Sequence, residues 1–123
     1  MGLPRAVGYV RRDISGASQA WHETQIRSLA RRLGYDLTKT VVFNASTSAA
    51  VQRLINVVQE LRIEAVLTPG LQHLGSGDVP KDLVAVVDVI TVNPERTYAR
   101  WPITESAAAR SDEGRKRDLE TET

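Results

Sequence analysis

Short apolar runs alternating with helix-period segments constrain this chain more than any other feature. Ala6–Arg11 reads AVGYVR, with one polar side chain in six. Asp36–Phe43 reads DLTKTVVF, rich in β-branched residues. Ala65–Thr68 and Asp88–Val92 supply two further runs of strand character. Between the first two, Trp21, Ile26, Leu29, Ala30 and Leu33 recur at helical spacing over Gln19–Leu33, and Gly34 provides the stop. About Ser48–Leu61, Val51, Leu54, Ile55, Val58 and Leu61 repeat with a 3.6-residue period. Pro80 suits the first position of a short helix, about Pro80–Val86. Strands joined by helices require parallel neighbours, because a parallel pair needs a crossover. The expectation is an α/β fold: three-layer, with a four-stranded, mostly parallel sheet and helices on both faces. Asn93-Pro94 stops the fourth strand, and Arg96–Pro102 reads as irregular.

The 123 residues suit one domain, assigned to 1–103, followed by a polar tail, 104–123, without apolar period. That tail is expected to be disordered or a frayed helix. With 41% apolar residues but only one Phe, two Trp and three Tyr, the core must be built from Val, Leu, Ile and Ala. Cysteine is absent, which excludes disulfides and thiolate metal sites. No long apolar stretch marks a leader or a membrane span, so a soluble cytoplasmic protein is expected. The net charge of +1 is divided unevenly: the tail carries −2 and the body +3. Six arginines stand against Asp13 and Glu23 in the first 32 residues. This is a mildly basic third, well short of the footprint of a dedicated DNA binder.

Parallel open sheets place ligands outside the carboxyl ends of their strands. Three segments land there: Arg12–Ser18, Asn44–Ser48 and Pro69–Gly77, all small, polar and rich in Gly or Ser. Two of them open onto helix N-termini, whose free N–H groups attract anions. The same composition serves ordinary turns and caps, so both readings stand. Arg11 must emerge at that edge or pair with an acid, and Asp13 lies two residues on. Arg11, Arg12, Ser15 and Ser18 are the candidate anion contacts at the rim. Arg27 and Arg31, four apart on one helix face, are candidate DNA-phosphate contacts or simply the solvated side of that helix. His22 and His73 have no carboxylate or second His at ligand spacing, so no metal site is expected, and no cofactor. Asp13, Ser15 and His22 contain the residue types of a hydrolytic triad, which three common residues within ten positions do not establish. Tyr98 and Trp101 read either as packing against the sheet or as an oligomer contact.

Gly8-Tyr9-Val10-Arg11, a polar turn, Gln25, an amphipathic helix and Gly34-Tyr35 together resemble the N-terminal catalytic domain of serine recombinases, the resolvases and invertases. Val51-Gln52-Arg53-Leu54-Ile55 is similar to that family's second helix, and His73-Leu74-Gly75 to the loop after its third strand. The resemblance is collinear over roughly residues 5 to 92. It implies a resolvase-like, flavodoxin-like topology and a site where a serine attacks a DNA phosphodiester amid arginines that stabilise the developing charge. By that resemblance Arg11 matches the arginine before the nucleophile, and the nucleophile's position is Asp13. The arginine ahead of the second helix falls near Ser48. An aspartate–arginine pair falls on Gln72-His73, and a further arginine on Ser76.

One of those active-site positions is therefore kept and the others are replaced. A carboxylate, ionised at neutral pH, repels a phosphodiester. The connection between the third and fourth strands is also short, and no helix-turn-helix pattern follows the fourth. The expected function is a catalytically inactive resolvase-like domain, acting by protein association, as a homodimer or with another protein, or by weak salt-dependent DNA binding. The alternatives are a small α/β binder of phosphate- or nucleotide-bearing ligands, and an active recombinase that uses Ser15. For the last, no general base is evident in the sequence.

Overall fold

A computed structural model describes residues 2–47, 49–75 and 78–101. Expectations for Ser48, Ser76, Gly77 and the tail lie outside the described residues. The chain runs β1 (Arg5–Arg11), α1 (Arg12–Ser15), a 3-10 turn (Gly16–Ser18), α2 (Gln19–Leu33), β2 (Asp36–Phe43), α3 (Ala50–Leu61) and β3 (Ala65–Thr68). A second 3-10 turn (Leu71–Leu74), α4 (Lys81–Val84), β4 (Asp88–Thr91) and β5 (Arg96–Tyr98) follow. The sheet order is β2-β1-β3-β4-β5. The first four strands are mutually parallel, and β5 returns antiparallel along β4, pairing Val89 with Tyr98 and Thr91 with Arg96.

The α/β class and the mostly parallel sheet agree with the sequence pattern. The strand count differs, five instead of four. Residues 96–98 are edge residues, two of them exposed, so they carry no apolar alternation for a pattern to detect. The Arg12–Ser18 segment also differs: it is helical, not an open loop.

Two-residue alternation along the strands divides the core. Val7, Tyr9, Val66 and Val89 pack with Leu54, Ile55 and Val58 of α3 and Leu83 of α4. Ala6, Val10, Ala65, Leu67 and Ile90 pack with Ile26, Leu29 and Ala30 of α2. Gly8 lies on the second side, under α2. A Cβ there would meet Thr40 Oγ1 of β2 at 2.7 Å and Ile26 Cγ2 of α2 at 3.1 Å, so glycine makes room for both side chains.

The inward stripe of α2 is rotated from the one expected. Ile26, Leu29 and Ala30 are buried, whereas Trp21 is 62% and Leu33 40% exposed. Residues 22, 26, 29 and 30 share one face, which puts His22 above the sheet's carboxyl edge in the place assigned to the indole. Gly34 ends α2 as expected, at φ +83°, with its N–H bonded to the Ala30 and Arg31 carbonyls.

Candidate functional site

The end of β1 is where the chain concentrates its polar chemistry. Arg11 turns its guanidinium onto Asp13, donating from Nε to Oδ1 at 2.8 Å and from Nη2 to Oδ2 at 2.7 Å. A planar fork meets a carboxylate edge-on, the strongest geometry for such a pair. Each partner shifts the other accordingly. The Arg11 hydrogen bonds hold the Asp13 carboxyl below the usual carboxylate range, and those same bonds raise the guanidinium. Of the two readings open for Arg11, the structure forms the Arg–Asp pair.

The backbone of Arg11 is engaged as well. Its N–H donates to His73 Nδ1 at 2.9 Å, joining the last residue of β1 to the 3-10 turn after β3. That bond settles the tautomer. Nδ1 must carry the lone pair, so the neutral ring holds its proton on Nε2. His73 is 1% exposed, and Nε2 has no hydrogen-bond partner among the described residues. Burial first, then the neighbouring His22 and Arg11, push the His73 pKa down to about 4, with Asp13 opposing. The ring is therefore a neutral N–H donor at pH 7. Thr68 Oγ1, at the end of β3, is likewise buried with no partner among the described residues.

Ser15 closes the group. It ends α1, is 6% exposed, and places Oγ 2.6 Å from His22 Nδ1. The His22 ring stands edge-on to that of His73, with centroids 5.9 Å apart and planes at 83°. The sequence offers His22 near Ser15 only as one of three common residues within ten positions, and folding brings it into hydrogen-bond reach. The missing signal was helical continuity: once Arg12–Leu33 is read as one helical stretch, residues 15 and 22 are two turns apart on one face. His73 has no comparable signal, since 62 residues separate it from Arg11.

The remaining candidates are scattered. Arg12 is exposed and forms no ion pair among the described residues. Ser18 is exposed and makes no side-chain cap to α2. Gln72 is exposed on the turn beside His73. Arg27 and Arg31 lie on the solvent side of α2, and Arg27 donates to Thr24 Oγ1 at 3.0 Å. The Asn44 turn spends its polar atoms on itself: Asn44 Oδ1 accepts from the Ser46 N–H at 2.9 Å and the Ser46 hydroxyl at 2.6 Å. The displaced Trp21 lines a groove of about 300 Å³ together with Leu29, Val92, Arg32 and Glu95. Among the described residues, no three His, Asp or Glu side chains gather as metal ligands, and no helix is long and apolar enough to cross a membrane.

Compared with protein-family models, curated proteins and solved structures, the chain matches none.

Proposed function

We propose that this chain is a resolvase-like domain that does not cleave DNA and acts through association, with protein or weakly with duplex DNA. One observation carries the reading: the position that the serine recombinase resemblance gives to the nucleophile holds Asp13, and Asp13 occupies the guanidinium of Arg11 on both of its oxygens. A phosphodiester approaching that rim meets a carboxylate instead of a hydroxyl, and the arginine that would steady it is already engaged. Ionised Asp13 only accepts hydrogen bonds, so it offers a phosphate oxygen nothing. A sheet order of β2-β1-β3-β4 with parallel strands suits a flavodoxin-like topology and supports the resemblance.

The test is incubation of the full chain with supercoiled and linear duplex DNA, followed by denaturing electrophoresis. Neither strand breaks nor a covalent protein–DNA adduct should form. An adduct that vanishes in Ser15→Ala would replace this reading with a recombinase that attacks through Ser15. Size-exclusion runs with and without the same duplex then separate self-association from DNA binding.

A second reading, a binder of phosphate-bearing ligands, is favoured by the unpartnered N–H of His73. The Asn44 turn contributes little to it, because its donors are used internally. Under that reading, millimolar phosphate or nucleotide shifts the NMR resonances of Ser15–Ser18 together with those of Gly70–Gly75. Unmoved resonances would exclude it.

A further inference from the structure

The non-cleaving reading above gives Ser15, His22 and His73 no role of their own, and their arrangement has its own chemistry. Ser15 Oγ and His22 Nδ1 are 2.6 Å apart, inside the range for a nucleophile and the base that deprotonates it. His73 stands against His22 with an N–H that the fold has fixed in direction, buried and without an acceptor among the described residues. A buried donor with no partner costs stability, and a site for developing negative charge is a physical reason to retain one.

We propose that these three residues form an acyl-transfer site for small uncharged esters, with Ser15 as nucleophile, His22 as general base and His73 as hydrogen-bond donor to the oxyanion. The steps balance within the site. The Ser15 hydroxyl passes its proton to His22 Nδ1 as Oγ bonds to the ester carbonyl carbon. The carbonyl electron pair moves onto oxygen, next to the His73 N–H. Collapse re-forms the C=O bond and breaks the bond to the alkoxy group, which leaves as the alcohol with the proton from His22. Acyl-Ser15 remains, and water attacking with His22 again as base releases the acid and restores the hydroxyl. Neutral imidazole suits both partners: His22 needs a free Nδ1 lone pair, and a neutral His73 donates without forming an ion pair with Asp13.

Substrate class follows from the surroundings. Asp13 at the rim disfavours anionic substrates, phosphodiesters included. Ser15 is 6% and His73 1% exposed, which limits the acyl group to a small one. The site is independent of strand cleavage, and the two are tested with different reagents.

The experiment treats the full chain with methanesulfonyl fluoride, a small irreversible serine reagent, and, separately, with p-nitrophenyl acetate, and locates adducts by peptide mass spectrometry. One adduct per chain is expected, on Ser15, absent in Ser15→Ala. His22→Gln should slow labelling about a hundredfold, the usual scale of a lost general base. His73→Asn keeps an acceptor for the Arg11 N–H and should slow acetylation about a hundredfold with an unchanged melting temperature, as for a lost oxyanion donor. Labelling no faster than in urea-unfolded protein, an adduct on another residue, or His22→Gln labelled at the wild-type rate would overturn the proposal. His73→Asn acetylated at the wild-type rate would remove His73 from it. A Ser15 adduct on duplex DNA would instead count against the non-cleaving reading and leave the nucleophile assignment standing.

Discussion

At the scale of single residues, His73 is the side chain whose ionisation the fold controls most tightly. Its Nδ1 is tied to the backbone of β1, its ring is enclosed, and protonation would break the Arg11 N–H bond and bury a charge. The folded pKa of about 4 lies below the ordinary histidine value of 6.5, so the folded form prefers the neutral ring. Stability from this source is complete above pH 6.5 and is lost as pH falls towards 4. The shift corresponds to about 3 kcal/mol at most, by linkage. Asp13 and Glu95, both held low by arginine hydrogen bonds, lose their contributions in the same direction but in more acidic solution. Urea denaturation midpoints should fall between pH 7 and pH 5, and His73→Asn should flatten that fall. A His73→Asn profile as steep as wild type would mean that another group governs it.

At the scale of elements, β2 shows how the sheet ends. It is an edge strand in the described residues, eight residues long, with Val41 and Phe43 packed against the core and Val42 half-buried. Two features blunt that edge. Lys39 is exposed, and the pairing with β1 slips by one residue between Ala6 and Val7, bulging the strand at Thr38. Charge and irregularity of this kind discourage a second chain from adding to the sheet. Lys39→Ile, which joins the apolar run across Thr40, should therefore increase concentration-dependent self-association, read by static light scattering. A variant that scatters like wild type would show that the bulge alone protects the edge. At the other end, β5 needs only three residues to finish the sheet, and Asp88 reinforces it by accepting the Arg100 N–H at 2.6 Å.

At the scale of the whole molecule, charge decides what the surface can bind. The arginines of the first third do not converge. Arg11 is paired with Asp13, Arg32 is paired with Glu95 at 2.9 Å, and Arg27 and Arg31 project from α2. The proposed binding of duplex DNA through two such side chains would be weak, and its log–log dependence on salt should have a slope of about −2. Fluorescence anisotropy at increasing salt measures it, and Arg27→Ala/Arg31→Ala should flatten the line. Binding that ignores salt would rule out the phosphate contacts.

The division between what was legible and what was not follows contact distance along the chain. Alternating runs, helical periods and Gly34 are local, because each reports the φ/ψ preference or the buried face of a few neighbouring residues. They determined the α/β class, the first four strands and the main helices. Tertiary structure decided the rest. The rotation of α2, which exposes Trp21 and brings His22 inward, depends on which helix face meets Gly8 and Val10. The fifth strand depends on backbone pairing that leaves no side-chain pattern. The Ser15–His22–His73 group depends on two segments more than fifty residues apart meeting at one sheet edge. Hydrophobic burial writes a period into sequence, whereas hydrogen bonds between distant segments leave no trace until the chain has closed.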